Sequence, residues 1–228
     1  MDDVTVPARL EARNLTASLP GDGGPVRVFA GVSLHVAGGE IVDIAGPSGG
    51  GKTTLLRALA RLLPDAGGAM LLDGEPSAAI SAQRWRSLVA LLPQKPAIAP
   101  ADLATNLTLP WQLKVERVSP RPTASDLEEA LAEVGLDSIP LDRDALRLSV
   151  GQQARVALLR VLLTKPLVLL LDEPDAALDP ESADALALAL TRVAATGTGI
   201  LRVRHRTSDG LAARRLVLDS GVLTEVQP

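Results

Sequence analysis

A glycine-rich stretch of eight residues constrains the fold of this chain more than any other sequence feature. It follows a short apolar run at 41–45 and precedes a segment, 53–63, with leucines at helical spacing. The stretch matches the pattern G-x-x-x-x-G-K-[ST] with Gly46, Pro47, Ser48, Gly49, Gly50, Gly51, Lys52 and Thr53. Glycines let successive N–H groups converge on phosphate oxygens, and a helix N-terminus adds partial positive charge. The pattern predicts a strand, an anion-binding loop and a helix, in that order.

Two side chains of this loop have specific expected roles. We expect Lys52 to reach the β- and γ-phosphates of a nucleotide and the hydroxyl of Thr53 to bind Mg²⁺, with Thr54 completing the nucleotide-binding set. An ordinary glycine-rich turn is the alternative interpretation. The strand before the loop and the helix after it argue against that alternative.

A second motif places two carboxylates after a buried strand. Residues 167–171 form a continuous apolar run, which is typical of a strand in a parallel sheet, and Asp172 and Glu173 follow it. Ligands of such sheets bind at the carboxyl ends of the strands. We expect Asp172 to hold the Mg²⁺ shell and Glu173 to polarise the attacking water. The alternative is an acidic pair that caps a helix, and the nearby phosphate-binding loop disfavours it.

The remaining pattern alternates strands with helices and predicts an α/β fold with a mainly parallel sheet. A helix is expected over 125–135, with a capping box of Ser125 and Glu128, and a buried helix over 150–163. Asp179 and Pro180 have the types preferred at the cap and first turn of a helix. Ser220 and Gly221 predict a hairpin. The proline-rich residues 95–125 are expected to be mostly irregular.

Composition excludes several classes of protein. The 228 residues are 46% hydrophobic and 22% charged, which disfavours disorder, and the absence of cysteine excludes disulfides and thiolate chemistry. A net charge of −4 lacks the basic field of a general nucleic-acid binder. No apolar run approaches the roughly 20 residues of a transmembrane helix, and the acidic N-terminus shows no secretory signal.

The segment Leu148 to Gln152 completes an ordered set that resembles the ATP-binding subunits of ATP-binding cassette (ABC) transporters. The set contains the glycine loop, Gln94, this signature, the Asp172–Glu173 pair, Asp179 and His205. The resemblance implies a P-loop NTPase core with a mixed, mainly parallel sheet, an inserted α-helical subdomain and an N-terminal antiparallel β region. It implies one domain over 1–228, with the core in 1–94 and 165–228 and the helical subdomain in about 95–164.

The same resemblance implies ATP and Mg²⁺ as ligands and assigns roles to individual residues. Gln94 joins Thr53 and Asp172 around Mg²⁺, and His205 senses the γ-phosphate beside the catalytic Glu173 and Lys52. Two copies pack head to tail, so one copy contacts the ATP of its partner through Ser149, Val150, Gly151, Gln152 and Asp179. The resemblance further implies a separate membrane permease subunit and a peripheral location on the cytoplasmic face of the cell membrane.

Several positions depart from the family pattern. Val150 replaces the usual signature glycine, and Arg206 stands where an aspartate is common. The stretch 14–19 lacks the usual adenine-stacking aromatic, with Leu19 as an apolar substitute, so we expect weaker and less base-selective binding. Charged residues inside strands suggest an Asp43–Arg202 ion pair, with Arg204 as an alternative partner of Asp43.

The sequence leaves the cargo and the direction of transport open. Residues 106–113, which include Trp111, resemble an ATP-binding subunit of a bacterial iron-export system, and an importer for another small solute is the alternative. Trp111 is as compatible with ordinary packing as with an interface. A soluble ABC ATPase in DNA repair or translation and a regulator without hydrolysis are further alternatives. The single phosphate-binding loop argues against the first, and the presence of Glu173 and His205 against the second.

Overall fold

The computed structural model describes residues 8–113, 119–176, 178–204 and 209–226, and all structural statements refer to these residues. The strands are β1 (Ala8–Leu19), β2 (Val26–Ala37), β3 (Ile41–Ala45), β4 (Gly67–Leu72), β5 (Glu75–Pro76), β6 (Val89–Leu92), β7 (Val168–Asp172), β8 (Gly199–Val203), β9 (Arg214–Asp219) and β10 (Val222–Val226). The α-helices are α1 (Lys52–Leu59), α2 (Ala82–Leu88), α3 (Leu103–Thr108), α4 (Ala124–Glu133), α5 (Val150–Leu162) and α6 (Pro180–Ala195). Short 3₁₀ turns span Ser77–Ala79, Leu109–Gln112 and Ala145–Arg147.

A six-stranded, mainly parallel sheet forms the centre, in the order β10-β9-β3-β8-β7-β6. Strands β3, β6, β7, β8 and β9 run parallel, and β10 pairs antiparallel with β9. Every residue of β7 and β8 is buried, because helices and the second sheet cover both faces. The predicted hairpin is confirmed: Ser220 and Gly221 have φ of 49° and 78°, which fits a two-residue turn of type I′. This sheet is the predicted mixed core.

A second, antiparallel sheet of β2, β1, β4 and β5 confirms the expected N-terminal β region. Its apolar face packs with α1 and α2 on the central sheet in one cluster that includes Leu10, Phe29, Leu55 and Trp85. The buried indole N–H of Trp85 donates to the carbonyl of Leu59, 2.8 Å away. This cluster fixes the helix that follows the glycine loop against the strands on either side of it.

The third part is helical and has its own apolar cluster. Helices α3, α4 and α5 bury Leu103, Leu107, Leu131 and Val156 against one another. The expectation that 95–125 is mostly irregular is wrong for 103–112, which form α3 and the 3₁₀ turn after it. Helix α3 is stabilised locally, since the carboxylate of Asp102 accepts the amide N–H of Thr105 at 2.7 Å. The division of the chain into core and helical subdomain stays an interpretation that this cluster supports.

Some predicted helix ends also need correction. The capping box of α4 consists of Thr123 and Asp126 rather than Ser125 and Glu128, and the helix begins at Ala124. Asp126 accepts the amide N–H of Thr123 at 2.7 Å, which a cap two residues later would forfeit. Helix α1 ends at Leu59, short of Leu63, because the chain turns into a left-handed conformation at Arg61 (φ 54°). Gly135 (φ 66°) follows α4 as expected of a C-terminal cap.

Candidate functional site

The glycine loop connects β3 to α1, as the sequence predicts, and at two of its positions only glycine fits. Gly46 (φ 141°) lies so close to β9 that an added Cβ would overlap the carbonyl oxygen of Leu218. A Cβ on Gly51 (φ 92°) would lie 2.5 Å from Cγ1 of Val28. No described side chain caps the N-terminus of α1, so the first-turn N–H groups are available to a ligand. The loop has the backbone that an anion site requires.

Lys52 is held inside this loop. Its Nζ donates to the carbonyl oxygens of Gly46 at 2.9 Å and Pro47 at 2.8 Å, and the residue is buried. The loop therefore places one cation beside a helix N-terminus, which favours a polyanionic ligand.

Thr53 and Asp172 come together from positions 119 residues apart. The Thr53 hydroxyl donates to Oδ2 of Asp172 at 2.9 Å, at the end of β7. Asp172 is buried, and its Oδ1 has no hydrogen-bond partner among the described residues. Burial raises the pKa of Asp172, and the neighbouring charge of Glu173 adds to the rise, although the Thr53 hydrogen bond opposes both. A bound cation would relieve this uncompensated carboxylate.

These two side chains fit Mg²⁺. A hydroxyl and a carboxylate oxygen are hard ligands of the kind Mg²⁺ takes, usually with only one or two carboxylates beside substrate phosphates and water. The described residues contain no cluster of three or more His, Cys, Asp or Glu that could hold a metal unaided. The donor set is thus suited to a cation that arrives with a phosphate ligand.

Glu173 and Gln94 face the same cleft as the glycine loop. Glu173 follows β7 in a left-handed conformation (φ 50°), and its carboxylate accepts a hydrogen bond of 2.7 Å from Nε2 of Gln94. The cleft has a volume of about 750 Å³, within the range of small-ligand sites. Its lining consists of Leu19, Val28, Ser48, Gly49, Gly50, Gly51, Lys52, Thr53, Thr54, Gln94 and Glu173.

The apolar end of this cleft is formed by aliphatic side chains. Leu19, 37% exposed, and Val28 line the cleft beside the loop. The chain has three aromatic residues of the Phe, Trp and Tyr types, and Phe29 and Trp85 are buried elsewhere in the core. The third, Trp111, donates its indole N–H to the carbonyl of Ser119. The cleft therefore offers an apolar contact without an aromatic ring.

The signature residues lie outside this cleft, at the N-terminus of α5. The Ser149 hydroxyl accepts the amide N–H of Gln152 at 3.2 Å, and Gln152 Oε1 accepts the amide N–H of Ser149 at 2.9 Å. Next to this reciprocal capping box, Val150 is the most exposed large hydrophobic residue of the described parts of the chain, at 68%. Gly151 lies beside Asp179, since a Cβ on it would be 3.9 Å from the Asp179 carboxylate. Within one chain these residues do not meet the glycine loop.

Asp179 caps α6, and Pro180 occupies the first turn, as predicted. The carboxylate accepts hydrogen bonds from the amide of Ser182 at 2.8 Å and its hydroxyl at 3.0 Å. The hydrogen bonds from Ser182 lower the pKa of Asp179. The predicted γ-phosphate sensor, His205, lies outside the described residues.

The predicted ion pair between Asp43 and Arg202 is confirmed and belongs to a larger network. These residues are direct neighbours on the parallel strands β3 and β8, and Arg202 donates to both carboxylate oxygens of Asp43 at 2.7 and 3.0 Å. Arg202 also donates to Asp209 at 3.0 and 3.1 Å. Arg204, expected as an alternative partner of Asp43, has its Nη1 3.9 Å from Oδ2 of Asp43 and makes hydrogen bonds to Asp175 at 2.8 and 3.2 Å. Sequence reasoning missed Asp175 and Asp209, whose only signal is acidic character near these arginines.

Comparison with known proteins adds independent evidence. The family model described as "ABC transporter" matches residues 29–176. Protein STAR1 of Oryza sativa is 39% identical over 204 residues, which cover 88% of this chain and 58% of that protein. The phosphonates import ATP-binding protein PhnC of Hyphomonas neptunium is 36% identical over 186 residues, 78% of this chain and 70% of that protein.

A solved structure agrees with these relatives. A bacterial Atm1-family ABC exporter with ATP bound superposes with a TM-score of 0.81 at 26% identity, over 97% of this chain and 39% of that chain. The chain spans 58%, 33% and 59% of the lengths of three curated relatives that it matches. Among the helices of the described ranges, none has the length and apolar character needed to cross a bilayer.

Proposed function

This chain belongs to the ABC transporter family, and we propose that it is the motor domain that hydrolyses ATP for such a transporter. Family membership implies ATP binding and ATPase activity. The observation that carries the proposal is the Thr53–Asp172 hydrogen bond of 2.9 Å, which joins the glycine loop to the carboxylate strand beside Glu173. An ATP site needs its phosphate-binding and acid–base groups within reach of one another, and this contact brings them together.

The triphosphate is bound by the glycine loop in this proposal. The amides of the loop and the open N-terminus of α1 donate to phosphate oxygens, and Lys52 exchanges its two carbonyl partners for the β- and γ-phosphates. Because the loop is rigidly shaped by Gly46 and Gly51, these donors require little reorganisation as charge develops on the phosphates. Residues Pro47, Ser48, Gly49, Gly50 and Thr54 complete the enclosure.

Thr53, Asp172 and Gln94 are proposed to hold Mg²⁺. When bound there, Mg²⁺ would supply positive charge that offsets the negative charge of the triphosphate. Oδ1 of Asp172, which has no hydrogen-bond partner among the described residues, and the hydroxyl of Thr53 would supply oxygen ligands, and the amide oxygen of Gln94 would supply another while its Nε2 keeps the hydrogen bond to Glu173. The raised pKa of Asp172 is consistent with a carboxylate awaiting a cation.

Water attacks the γ-phosphorus in line with the bond to the β-phosphate, which gives ADP and inorganic phosphate. Glu173 accepts a hydrogen bond from this water and takes its proton as the bond to phosphorus forms, while the oxygen that bridges the β- and γ-phosphates leaves with ADP. The left-handed backbone at Glu173 and its contact with Gln94 support this role, because both restrict the carboxylate to the cleft. His205 is assigned to the γ-phosphate from the family resemblance alone.

The active unit is proposed to be a head-to-tail homodimer. Ser149, Val150, Gly151, Gln152 and Asp179 form one surface at the neighbouring N-termini of α5 and α6, and none of them lines the cleft of the glycine loop. A second copy related by a twofold axis brings this surface over the partner's ATP, and two ATP molecules are then enclosed. The exposed Val150 supports a role in contact with another molecule.

Transport itself requires a membrane permease, which we propose as the partner at the cytoplasmic face of the membrane. The relatives described above include an import ATP-binding protein and an exporter, so family membership determines neither the direction of transport nor the cargo. The resemblance of 106–113 to an iron-export subunit remains a hypothesis that the comparisons do not specifically support.

The substitution Glu173→Gln tests this function. It keeps the shape and the hydrogen bond to Gln94 but removes the base, so we expect ATP turnover to fall by about 10²–10⁴-fold with ATP binding retained. Turnover is measured as phosphate release, and size-exclusion chromatography with ATP should give a dimer for the variant. Glu128→Gln, at an exposed position of α4, is the control and should retain turnover. Unchanged turnover in Glu173→Gln would contradict the proposal.

A further inference from the structure

A largely buried network of five charged residues lies next to the turn that carries the proposed catalytic carboxylate, Glu173. It contains Asp43 of β3, Arg202 of β8, Arg204 just after β8, Asp175 after β7, and Asp209. Arg202 is 2% exposed, and the side chains of Arg204, Asp43 and Asp175 are 10% exposed or less. The charges of Arg202, Arg204, Asp43 and Asp175 are therefore largely removed from water, at a cost that only close pairing offsets, whereas the side chain of Asp209 is 24% exposed.

Each arginine has a distinct position in this network. Arg202 is bound on both sides, by Asp43 in a two-bond arrangement and by Asp209 in another. Arg204 binds Asp175 through Nε and Nη2, and its Nη1 forms an ion-pair contact of 2.8 Å with Asp209. Arg204 thus connects the turn after β7 to the segment that begins at Asp209. Arg202 anchors that segment to the sheet.

The turn that Arg204 holds is the turn that carries Glu173. Asp175 lies two residues after Glu173, and the amide N–H of Ala176 donates to the carbonyl of Glu173 at 3.2 Å, which closes the turn around Asp175. On the other side, the amide of Glu173 donates to the carbonyl of Val203, the residue before Arg204. The backbone at Glu173 has a φ of 50°, a conformation that persists only where surrounding contacts maintain it.

We propose that Arg204 is a positioning residue for ATP hydrolysis, which sets the direction of the Glu173 carboxylate through its ion pair with Asp175. This inference rests on the proposed function, and it adds a residue that acts through the turn rather than on the nucleotide. Asp209 pairs with Arg204, and Arg202 binds both Asp209 and Asp43. The orientation of Glu173 therefore depends on β3, β7 and β8 together. Small misplacements of a reacting group lower turnover without affecting substrate affinity.

The test compares Arg204→Met with Asp175→Asn, their double variant and a matched control. We expect each single variant to lower kcat by about 10–100-fold with an unchanged KM for ATP, and the double variant to lose no more than the more affected single one, because all three lack the Arg204–Asp175 pair. Arg204→Lys, which keeps the charge, should recover part of kcat. Asp175→Asn preserves shape and serves where Arg204→Met does not fold.

Arg214→Met provides the control for a purely structural effect. Arg214 is also partly buried and pairs with Glu40 at 2.6 Å and Glu225 at 3.1 Å, but it lies on β9 outside the cleft. It should lower the melting temperature and retain kcat. Equal kcat losses in Arg204→Met and Arg214→Met, or multiplying losses of Arg204 and Asp175, would overturn the proposal. If the proposed function is wrong, the wild type will instead show no ATP turnover, or a turnover that Glu173→Gln does not lower.

Discussion

Two groups of charged side chains belong to the same parallel sheet and differ in how completely their members are paired. In the buried network, Arg202 makes four hydrogen bonds to Asp43 and Asp209. In the cleft, Asp172 has one hydrogen bond, from Thr53, and its second oxygen has no hydrogen-bond partner within the described parts of the chain. Both groups are buried, so the difference does not follow from exposure to water.

The electrostatics of the two groups differ accordingly. Burial alone would lower the pKa of Arg202, but the hydrogen bonds to Asp209 and Asp43 outweigh it and raise the pKa. For Asp172 burial is the dominant influence and raises the pKa, which marks a carboxylate whose charge the folded chain does not compensate. The paired charges of the network therefore stabilise the fold, whereas the cleft contains a negative charge that a ligand can neutralise. The following predictions test that difference.

The largest effect is expected when the paired group loses its central cation. Arg202→Met leaves the buried Asp43 with only Nη1 of Arg204, 3.9 Å away, and removes two hydrogen bonds from Asp209, so the free energy of unfolding should fall by about 3–5 kcal/mol, measured by chemical denaturation. The double variant Arg202→Met with Asp43→Leu should recover part of the loss. Arg13→Met, which breaks an exposed pair with Glu11 of 2.6 Å, is the control and should leave the midpoint nearly unchanged. A small effect of Arg202→Met would mean that the network is not tightly coupled.

A smaller effect is expected at the apolar end of the cleft. Leu19→Tyr supplies an aromatic ring where Leu19 and Val28 now line the space, and should tighten ATP binding by about 1–3 kcal/mol, or about five- to more than a hundredfold in Kd. Isothermal titration with ATP, GTP and inorganic triphosphate would measure both affinity and base preference. Leu19→Ile controls for volume alone and should change neither. Tighter ATP binding by the wild type than by Leu19→Tyr would contradict the idea.

The smallest effect concerns the unpaired carboxylate and has an unusual sign. Because the folded-state pKa of Asp172 is raised, the folded chain binds its proton more tightly than the unfolded chain does, and the charge becomes a cost as pH rises through the unfolded-state pKa and above. At neutral pH Asp172→Asn removes that cost, so stability should rise by an amount on the order of 1 kcal/mol, or about 2–4 °C in Tm. Mg²⁺ with ADP should raise the Tm of the wild type more than that of the variant.

Asp179→Asn is the matched control for the predicted rise in Tm, because the pKa of its carboxylate shifts in the opposite direction. The pKa of Asp179 is lowered by hydrogen bonds from Ser182, so its stabilisation is present above the unfolded-state pKa and is lost as pH falls through the folded-state pKa. The substitution should lower the Tm at neutral pH. If both variants shift the Tm in the same direction, the contrast between paired and unpaired carboxylates fails.

Local signals allowed much of the site to be predicted. The strand–loop–helix around Lys52, the carboxylates after β7 and the cap of α6 depend on residues close together in the sequence, and the structure contains all three elements. The Asp43–Arg202 pair was predictable because equal offsets along parallel strands place residues side by side, and the observed register is that one.

Other features lacked a local signal. Helix α3 has six residues, too few to show a helical period, and it is held by the Asp102 cap and by burial of Leu103 and Leu107. Several hydroxyl and acidic residues compete to cap α4, and the position of the helix against its apolar cluster decides for Thr123. Asp175 and Asp209 lie in loops, where no periodic pattern in the sequence predicts the direction of a side chain.

The sequence by itself determined the phosphate-binding loop, the carboxylates at the end of β7 and the capped helices, because glycine conformations, capping groups and apolar runs act over a few residues. Only the tertiary structure decided which groups meet: Thr53 with Asp172, Gln94 with Glu173, and Arg204 with Asp175. These contacts join residues 29 to 119 positions apart. They depend on the order and register of the strands in the sheet, which is set by the packing of the whole core.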